Sequence, residues 1–520
     1  MSSVFDNEII GAMARGIVDD MQAGLFRSGY SAIIRESHDA SCAILTAEGA
    51  LAAQKVVLPI HVGAFPAVIE GVLNRFPKEQ IEPGDCYVSN SPWEGGSPHN
   101  PDFAVVSPVF FNDQLVAFTA SIAHKSDIGG PAAGSCPATA PDMYSEGLHI
   151  PPVKLYVRGE LNAAVETLIS ANSRTPVLVM GDLVGQAGVG VLGAQRVSNL
   201  FTRYGREQTD SSFTHQRTKT KHGIQETLRL LPDFEESGER FIDHDGVRRD
   251  TPIGIRVKVK KMGPSIQFDF RESDDQGVGP VNIRPHLLNA CCAYVVLALA
   301  SRSLEINQGV IDAFTITTRK GSIVDPHFPA PVNSYNTVMH AVIEAIFDAM
   351  SRANPELARA DGGGGRAITL AHSLNGSTLI QYELLAGGTG AMLDYQGLTG
   401  CHCNQTNGKI GSLEMIETEF PVRVEEFSVL RESGGSGTHK GGNGFRRRYT
   451  QLQGKAGVTL RSSKHVIAPA GAGNGGAAQT GHCEIRSENG VRVLATMESG
   501  VDLPQGGTLI IETPGGGGYA

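Results

Sequence analysis

The sequence predicts an α+β, multi-domain mixed fold with a hairpin-rich N-terminal region and a mostly β, Gly-rich C-terminal region. Three observations carry this. Helical periodicities alternate along the chain with short strand-like runs and Gly or Pro turn signals. At 520 residues there is enough chain for several cores. Glycine is the outlier, with 63 residues and clusters at 362–365, 434–442 and 515–518, so tight turns and close backbone approaches are expected to crowd the last third.

Asp6 is placed to cap a first helix, in which Ile9, Ile10, Met13, Ile17, Met21 and Leu25 recur at three to four and Gly29 marks the end. From about 41 to 155, short apolar runs between turn signals read as strands and hairpins, with a helix near 61–76. Gly188, Gly190 and Gly193 match the dinucleotide fingerprint letter for letter. That fingerprint needs a strand and a tight turn, whereas "GDLVGQAGVGVLGAQRVSNLFTRYG" reads as a small-residue helix continuing to Leu200. Residues 205–225 are polar and mostly lack apolar periodicity, which suggests a boundary between a domain at 1–225 and a mixed domain at 226–400. The second domain carries the strands "IRVKVKKM" and "IQFDF" and helices near 286–302 and 336–352. The remainder, 401–520, reads as short strands between Gly turns.

Charge and cysteine usage narrow the class of function. With 44 basic and 54 acidic residues, nothing favours nucleic acid or an anionic membrane surface. The runs "KVKK" (258–261) and "RRR" (446–448) read as solvated faces, as does the helical stripe His340, Glu344, Asp348. Ala290 to Ala300, the longest apolar run, falls short of the about 20 residues that span a bilayer and reads as a buried helix. The start lacks the basic and apolar regions of a signal peptide, and eight cysteines, two of them adjacent, do not make a disulfide framework. Both point to the cytoplasm. "CHC" at 401–403 offers metal ligands, but no second cluster has finger spacing, so it is read as a structural turn.

The chemistry concentrates in "GGSPHNPDF" (95–103) and the hairpin after it. Two nine-residue runs, 103–111 and 115–123, flank Asn112-Asp113-Gln114 and predict that hairpin. A three-residue loop pairs 111 with 115 and therefore Asp102 with His124, with Cβ atoms about 5 Å apart. Pro98 and Pro101 favour polyproline II, whose threefold period turns His99 to the side of Asp102. Three ligand-type residues then meet at one hairpin end, and Asp127 is placed to orient a ligating His from behind. Asp39, His38 and His61 compete as a fourth ligand, and spacing does not choose among them.

"RESHDASCAILTAEGALAAQ", "SPHNPDFAVVSPVF", "AHKSDIGG", "EGLHIPPVKLY", "NSRTPVLVMGDL" and the terminal "TPGGGGY", in this order from the first hundred residues to the last ten, resemble the hydantoinase B/oxoprolinase family. The resemblance implies metal ligands at Asp39, His99, Asp102 and His124, and so selects Asp39. It further implies a divalent metal, Zn or alternatively Mn or Fe, and ATP-dependent opening of hydantoins, 5-oxoproline or related lactams. No G-x-x-x-x-G-K-[ST] occurs, so ATP and Mg are expected on a hydantoinase A-type partner subunit. Asp127 is the candidate proton relay, with Asn90 and Asn333 as candidate substrate contacts. Asn90-Ser91-Pro92-Trp93 departs from the family's Asn-Asp-Pro-Tyr, and Lys125 stands where a second His is common. The alternatives are a subunit of an ATP-dependent ketone carboxylase and a noncatalytic binding subunit stabilised by metal.

Overall fold

A computed structural model describes residues 4–55, 57–300, 304–404 and 406–520. The first helix, α1, runs Val4–Ser28, so Asp6 lies inside its first turn rather than capping it. An antiparallel sheet comes next, built from β1 (Ala40–Thr46), β2 (Leu51–Gln54), β3 (Cys86–Ser89), β4 (Asp102–Phe111), β5 (Gln114–His124), β6 (Val153–Val157) and β7 (Glu160–Leu161), in the order β2-β1-β5-β4-β3-β6-β7. Both faces are covered, which is why its central strands read as continuous apolar runs. Ala104, Val106, Phe118, Ala120 and Ile122 pack toward α2 (His61–Arg75). Phe103, Val105, Ala117 and Ala123 face the opposite way, toward α1 and the long helix α3 (Pro176–Tyr204).

The predicted small-residue helix is α3, and it abolishes the fingerprint reading. By length and composition α3 could cross a bilayer. Its buried face carries Asp182 and Gln186 and packs on α1, β4 and β5, as a core helix does.

Residues 206–225, which show little apolar periodicity in the sequence, lie in α4 (Arg206–Leu230). Its apolar periodicity is weak because the buried stripe is largely polar. Ser212 and Gln216 donate to the carbonyl of Asn7 on α1, and Asn307 donates to Thr220. Beyond α4, β8 (Phe234–Ile242), β9 (Ile253–Met262), β10 (Ser265–Asp269) and β11 (Phe314–Thr317) form a second sheet. The helices α5 (Pro285–Leu299) and α6 (Asn336–Ala353) lie between it and α2. Positions 301–302 of the expected first helix lie outside the described residues. At Gly63 a Cβ would stand 1.9 Å from the His286 carbonyl oxygen, so α2 and α5 touch backbone to backbone. One hydrophobic cluster runs from the first sheet through these helices to the second.

The last third is mostly β, as expected. One four-stranded sheet contains β12 (Gly365–Leu374), β13 (Ser377–Ala386), Lys455–Arg461 and Met497–Leu503, and a five-stranded sheet packs beside it. The Gly clusters make the close backbone approaches that their number suggests. Segments near 388, 434–442 and 514–518 lie side by side, with Gly442 donating to Thr389, Gly516 to Gly442 and Gly388 to Pro514. A Cβ at Gly516 would meet the Thr389 carbonyl oxygen at 2.0 Å, so these glycines are demanded by backbone contact rather than by turning.

Three surface readings also fail. Lys261 is buried against Asp233, and Arg447 is fully buried 3.1 Å from Glu383. Lys260 and Met262 beside Lys261 are exposed, and Arg446 and Arg448 beside Arg447 are half-buried, because side chains alternate across a strand. His340 and Glu344 are buried, with Glu344 2.9 Å from Lys464. All eight cysteines are free thiols.

Candidate metal centre

The hairpin closes differently from expectation, yet it delivers the expected pair. Asn112 and Asp113, both at positive φ (49° and 57°), make a two-residue turn that pairs Phe111 with Gln114. Continued without interruption, that register would set Asp102 opposite Ala123 and turn His124 to the other face. The register shifts by one between Val109 and Phe110, so from Val109↔Ala117 onward the pairs are those of a three-residue loop, and Asp102 faces His124. On its other edge β5 pairs Ala40 with Ala123, and the His124 N–H donates to the Asp39 carbonyl. Asp39, His124 and Asp102 therefore occupy one row across three adjacent strands.

His99 joins through a turn rather than through polyproline II. The Asp102 N–H donates to the His99 carbonyl at 3.0 Å, which places His99 Nε2 3.3 Å from Asp102 Oδ2. The His99 and His124 rings are 5.2 Å apart, and all four side chains are buried. Asp39, His99 and His124 line a cavity of about 50 Å³ together with Tyr335, Tyr382 and Arg461. That volume holds an ion or a water or two.

The electrostatics suit a cation. Burial, with Asp102 beside it, pushes the Asp39 carboxyl up to about 8 although Arg461 opposes this. Burial also works to raise Asp102, but the charge and hydrogen bond of His99 prevail and hold it at about 2. The pair has thus split its protonation. Burial, with His99 alongside, keeps His124 well below its usual range, so its ring is neutral, and its Nδ1 is buried without a hydrogen-bond partner. His99 Nδ1 lies 2.9 Å from Asn333 Oδ1 and 3.0 Å from the Asn333 carbonyl oxygen. Two acceptors there place a proton on Nδ1, so Nε2, which meets Asp102 at 3.3 Å in this structure, is the nitrogen a metal would take in exchange for its proton. Among the described residues, no three His, Cys, Asp or Glu side chains stand close enough to hold a metal ion as they are. The set fits a divalent ion in donor type and burial; its spacing is that of hydrogen-bonded neighbours.

A family model described as hydantoinase B/oxoprolinase matches residues 4–520. The chain belongs to this family. It is 28% identical over 534 residues to the B chain of a putative D-/L-hydantoinase from a Pseudomonas species, covering 98% of this chain and 88% of that one. It is 27% identical over 524 residues to the 5-oxoprolinase of Dictyostelium discoideum, covering all of this chain but 40% of that longer protein. In three dimensions it superposes on an ATP-dependent caprolactamase from Pseudomonas jessenii with a TM-score of 0.91 at 25% identity, over 100% of this chain and 91% of that one.

Within this hydantoinase B/oxoprolinase chain, the remaining candidate residues have other employment. Asn90 holds loops together: Nδ2 donates to the carbonyls of Asn100 and Leu148, and Oδ1 accepts from Ile150 N–H. Asn333 orients His99 and accepts from Arg461 Nη1, while its Nδ2 donates to Ser135. Asp127 accepts from the N–H groups of Gly129, Gly134 and Arg174 and from the Arg174 guanidinium. It anchors the loop after β5 and has no free oxygen with which to relay a proton or orient His124. His38 stacks on Phe26, 3.9 Å between ring centroids. His61 is buried with both ring nitrogens unpartnered, and Asp102 and His99 both act on its protonation, so it stands behind the cluster. Sequence reasoning missed Tyr335, Tyr382 and Arg461. Tyr382 stacks on His124 at 4.7 Å. Nothing local marks it, since it comes from a strand more than 250 residues downstream.

Proposed function

We propose that this chain is the metal-bearing subunit of an ATP-dependent cyclic-amide hydrolase acting on hydantoins, 5-oxoproline or related lactams. The observation that carries the reading is the buried row Asp39–His124–Asp102, with His99 oriented by Asn333, in a chain of this family. A Zn²⁺, Mn²⁺ or Fe²⁺ ion would be held by those four side chains; when bound, it lowers the pKa of a water to about 7 and so supplies hydroxide at neutral pH. ATP and Mg belong on an A-type partner subunit, where ATP would phosphorylate the amide oxygen and release ADP; hydroxide then adds to that carbon, the C–N bond breaks with the nitrogen taking the hydroxyl proton, and a second water hydrolyses the resulting acyl phosphate to carboxylate and phosphate. Two relatives, the hydantoinase B chain and the beta chain of a caprolactamase, are named as parts of larger assemblies, which supports such a partner.

The chain's own residues then have distinct tasks. Asn333 keeps the His99 proton on Nδ1. Arg461, buried on the cavity wall, donates through Nη1 to both oxygens of Asn333 and so holds Asn333 against His99. The Tyr335 and Tyr382 rings exclude bulk water, which strengthens every charge inside.

The test is to co-express this chain with an A-type subunit and measure ATP hydrolysis and ring opening with hydantoin, 5-oxoproline and caprolactam. Coupled turnover of at least one, abolished by His124→Ala in a folded complex, is expected. ATP consumption only with a ketone and bicarbonate would overturn the proposal, and loss of folding in His124→Ala would make the metal structural.

A further inference from the structure

The 50 Å³ metal cavity is too small for a cyclic amide, but a cavity of about 530 Å³ lies beside it. Thr406 lines both. Asn336, on the small cavity, and Glu344, on the large one, are two turns apart on α6, about 12 Å at 1.5 Å per residue. Two patterns set aside in the sequence meet in the larger cavity: the stripe on α6, through Glu344, and the Cys401-His402-Cys403 run.

Its walls are mostly apolar, with Leu297, Ile306, Phe347, Met392 and Leu398 among them. Leu398 is 62% exposed and marks the mouth. Two polar groups stand out. The Arg359 guanidinium lies over the Phe347 ring, 4.4 Å from its centroid, and donates to the Ala298 carbonyl at 3.3 Å. Among the described residues no carboxylate acts on it, only Tyr294. The second group is His402, whose Nε2 is buried without a hydrogen-bond partner. Among the described residues the one carboxylate on the wall, Glu344, is neutralised by Lys464 at 2.9 Å and also accepts from Gly362 N–H at 3.2 Å, so it does not repel an anion.

We infer that this cavity is a binding chamber for a small carboxylate with an apolar body and an amide, the carboxylate taken by Arg359 and the amide N–H by His402 Nε2. A half-buried cation without a counter-charge is costly by itself, and a carboxylate offsets that cost through charge-assisted hydrogen bonds. Stacking on Phe347 fixes the guanidinium plane, which leaves a preorganised edge for the ligand. An N-acyl or N-carbamoyl amino acid has this chemistry, as does a lactam bearing a carboxylate. Its assignment as substrate or ring-opened product rests on the function proposed above; the binding chemistry does not.

The experiment is calorimetric titration of the purified full-length chain, without ATP or partner, using N-acetylphenylalanine and its neutral twin N-acetylphenylalaninamide. The carboxylate is expected to bind at least about tenfold more tightly than the amide, and Arg359→Gln to remove that preference while leaving the amide's affinity within about twofold. Leu398→Asp, a rim substitution that leaves the core untouched, should weaken the carboxylate alone, and it keeps the test open should Arg359→Gln unfold. Equal affinity for the twins, no binding of either, or a carboxylate preference that survives both variants would overturn the inference. Because no turnover is read, failure here leaves the ring-opening assay standing, and failure of that assay leaves this result standing.

Discussion

Replacing Lys464 by Met tests how a buried charge network holds the last third against the helical layer. Lys464 Nζ lies 2.9 Å from Glu344 Oε2 and 3.5 Å from Asp361 Oδ2. Arg240 spans both oxygens of Asp361 at 2.9 Å and reaches Asp348 at 3.0 Å. Methionine keeps most of the lysine's volume, so the loss is electrostatic rather than a cavity. Glu344 is left with only the Gly362 N–H, and an uncompensated buried charge costs about 3–5 kcal/mol. Protonation can relieve it. Burial, with Asp361 beside it, already raises Glu344 to about 7 despite Lys464, and removing the lysine raises it further. Between its ordinary value near 4.5 and that raised value, the folded state binds the extra proton, so this group's stability is complete below about 4.5 and lost as pH rises through 7. Because protonation caps the loss at about 1.4 kcal/mol for each pH unit above 7, urea denaturation followed by circular dichroism should show a deficit of about 1.4 kcal/mol at pH 8, most of it gone at pH 5, with Lys464→Met/Glu344→Gln recovering most of it at pH 8. A loss below about 1 kcal/mol at pH 8, or the same loss at both pH values, would refute the reasoning.

Elemental analysis of the purified chain should find about one Zn, Mn or Fe per chain, absent from folded His99→Ala and Asp102→Ala; no metal in a well-folded wild type would remove the centre. Asn333→Ala should weaken metal affinity about tenfold, by chelator competition, rather than abolish it, because the Asn333 carbonyl still accepts from His99 Nδ1. Gly96→Ala places a Cβ 2.4 Å from the Ala67 carbonyl carbon at a φ of +68°; it should cost about 3 kcal/mol or more in thermal unfolding and displace His99 enough to lower metal content. An unchanged melting temperature would show that the loop relaxes freely.

Much of the fold was legible where local rules suffice. The periodicity of α1, α2, α5 and α6 appears in the sequence because each presents an apolar stripe to a core. The polar helix α4 was not legible, since its buried face is held by hydrogen bonds to α1 and to Asn307 that no local pattern shows. The Gly clusters were legible only as turns or backbone contacts, because glycine serves both alike and only the neighbouring segment distinguishes them.

The sequence by itself determined the alternating α+β architecture, the family motifs and the facing of Asp102 and His124. That facing survived two errors, a two-residue turn in place of three and a register shift in the ladder, because they cancel in a side-chain period of two. Only the tertiary structure decided what surrounds the pair. Asp39 enters because β1 lies beside β5, and His99 is oriented by Asn333, 234 residues away. Arg461 arrives from the end of a strand in another sheet, while Asn90 and Asp127 turn out to be spent on loops. Strand pairing and turn chemistry act over a few residues and leave a local signature. A buried site's charge balance is assembled from segments hundreds of residues apart, whose juxtaposition depends on how whole layers pack.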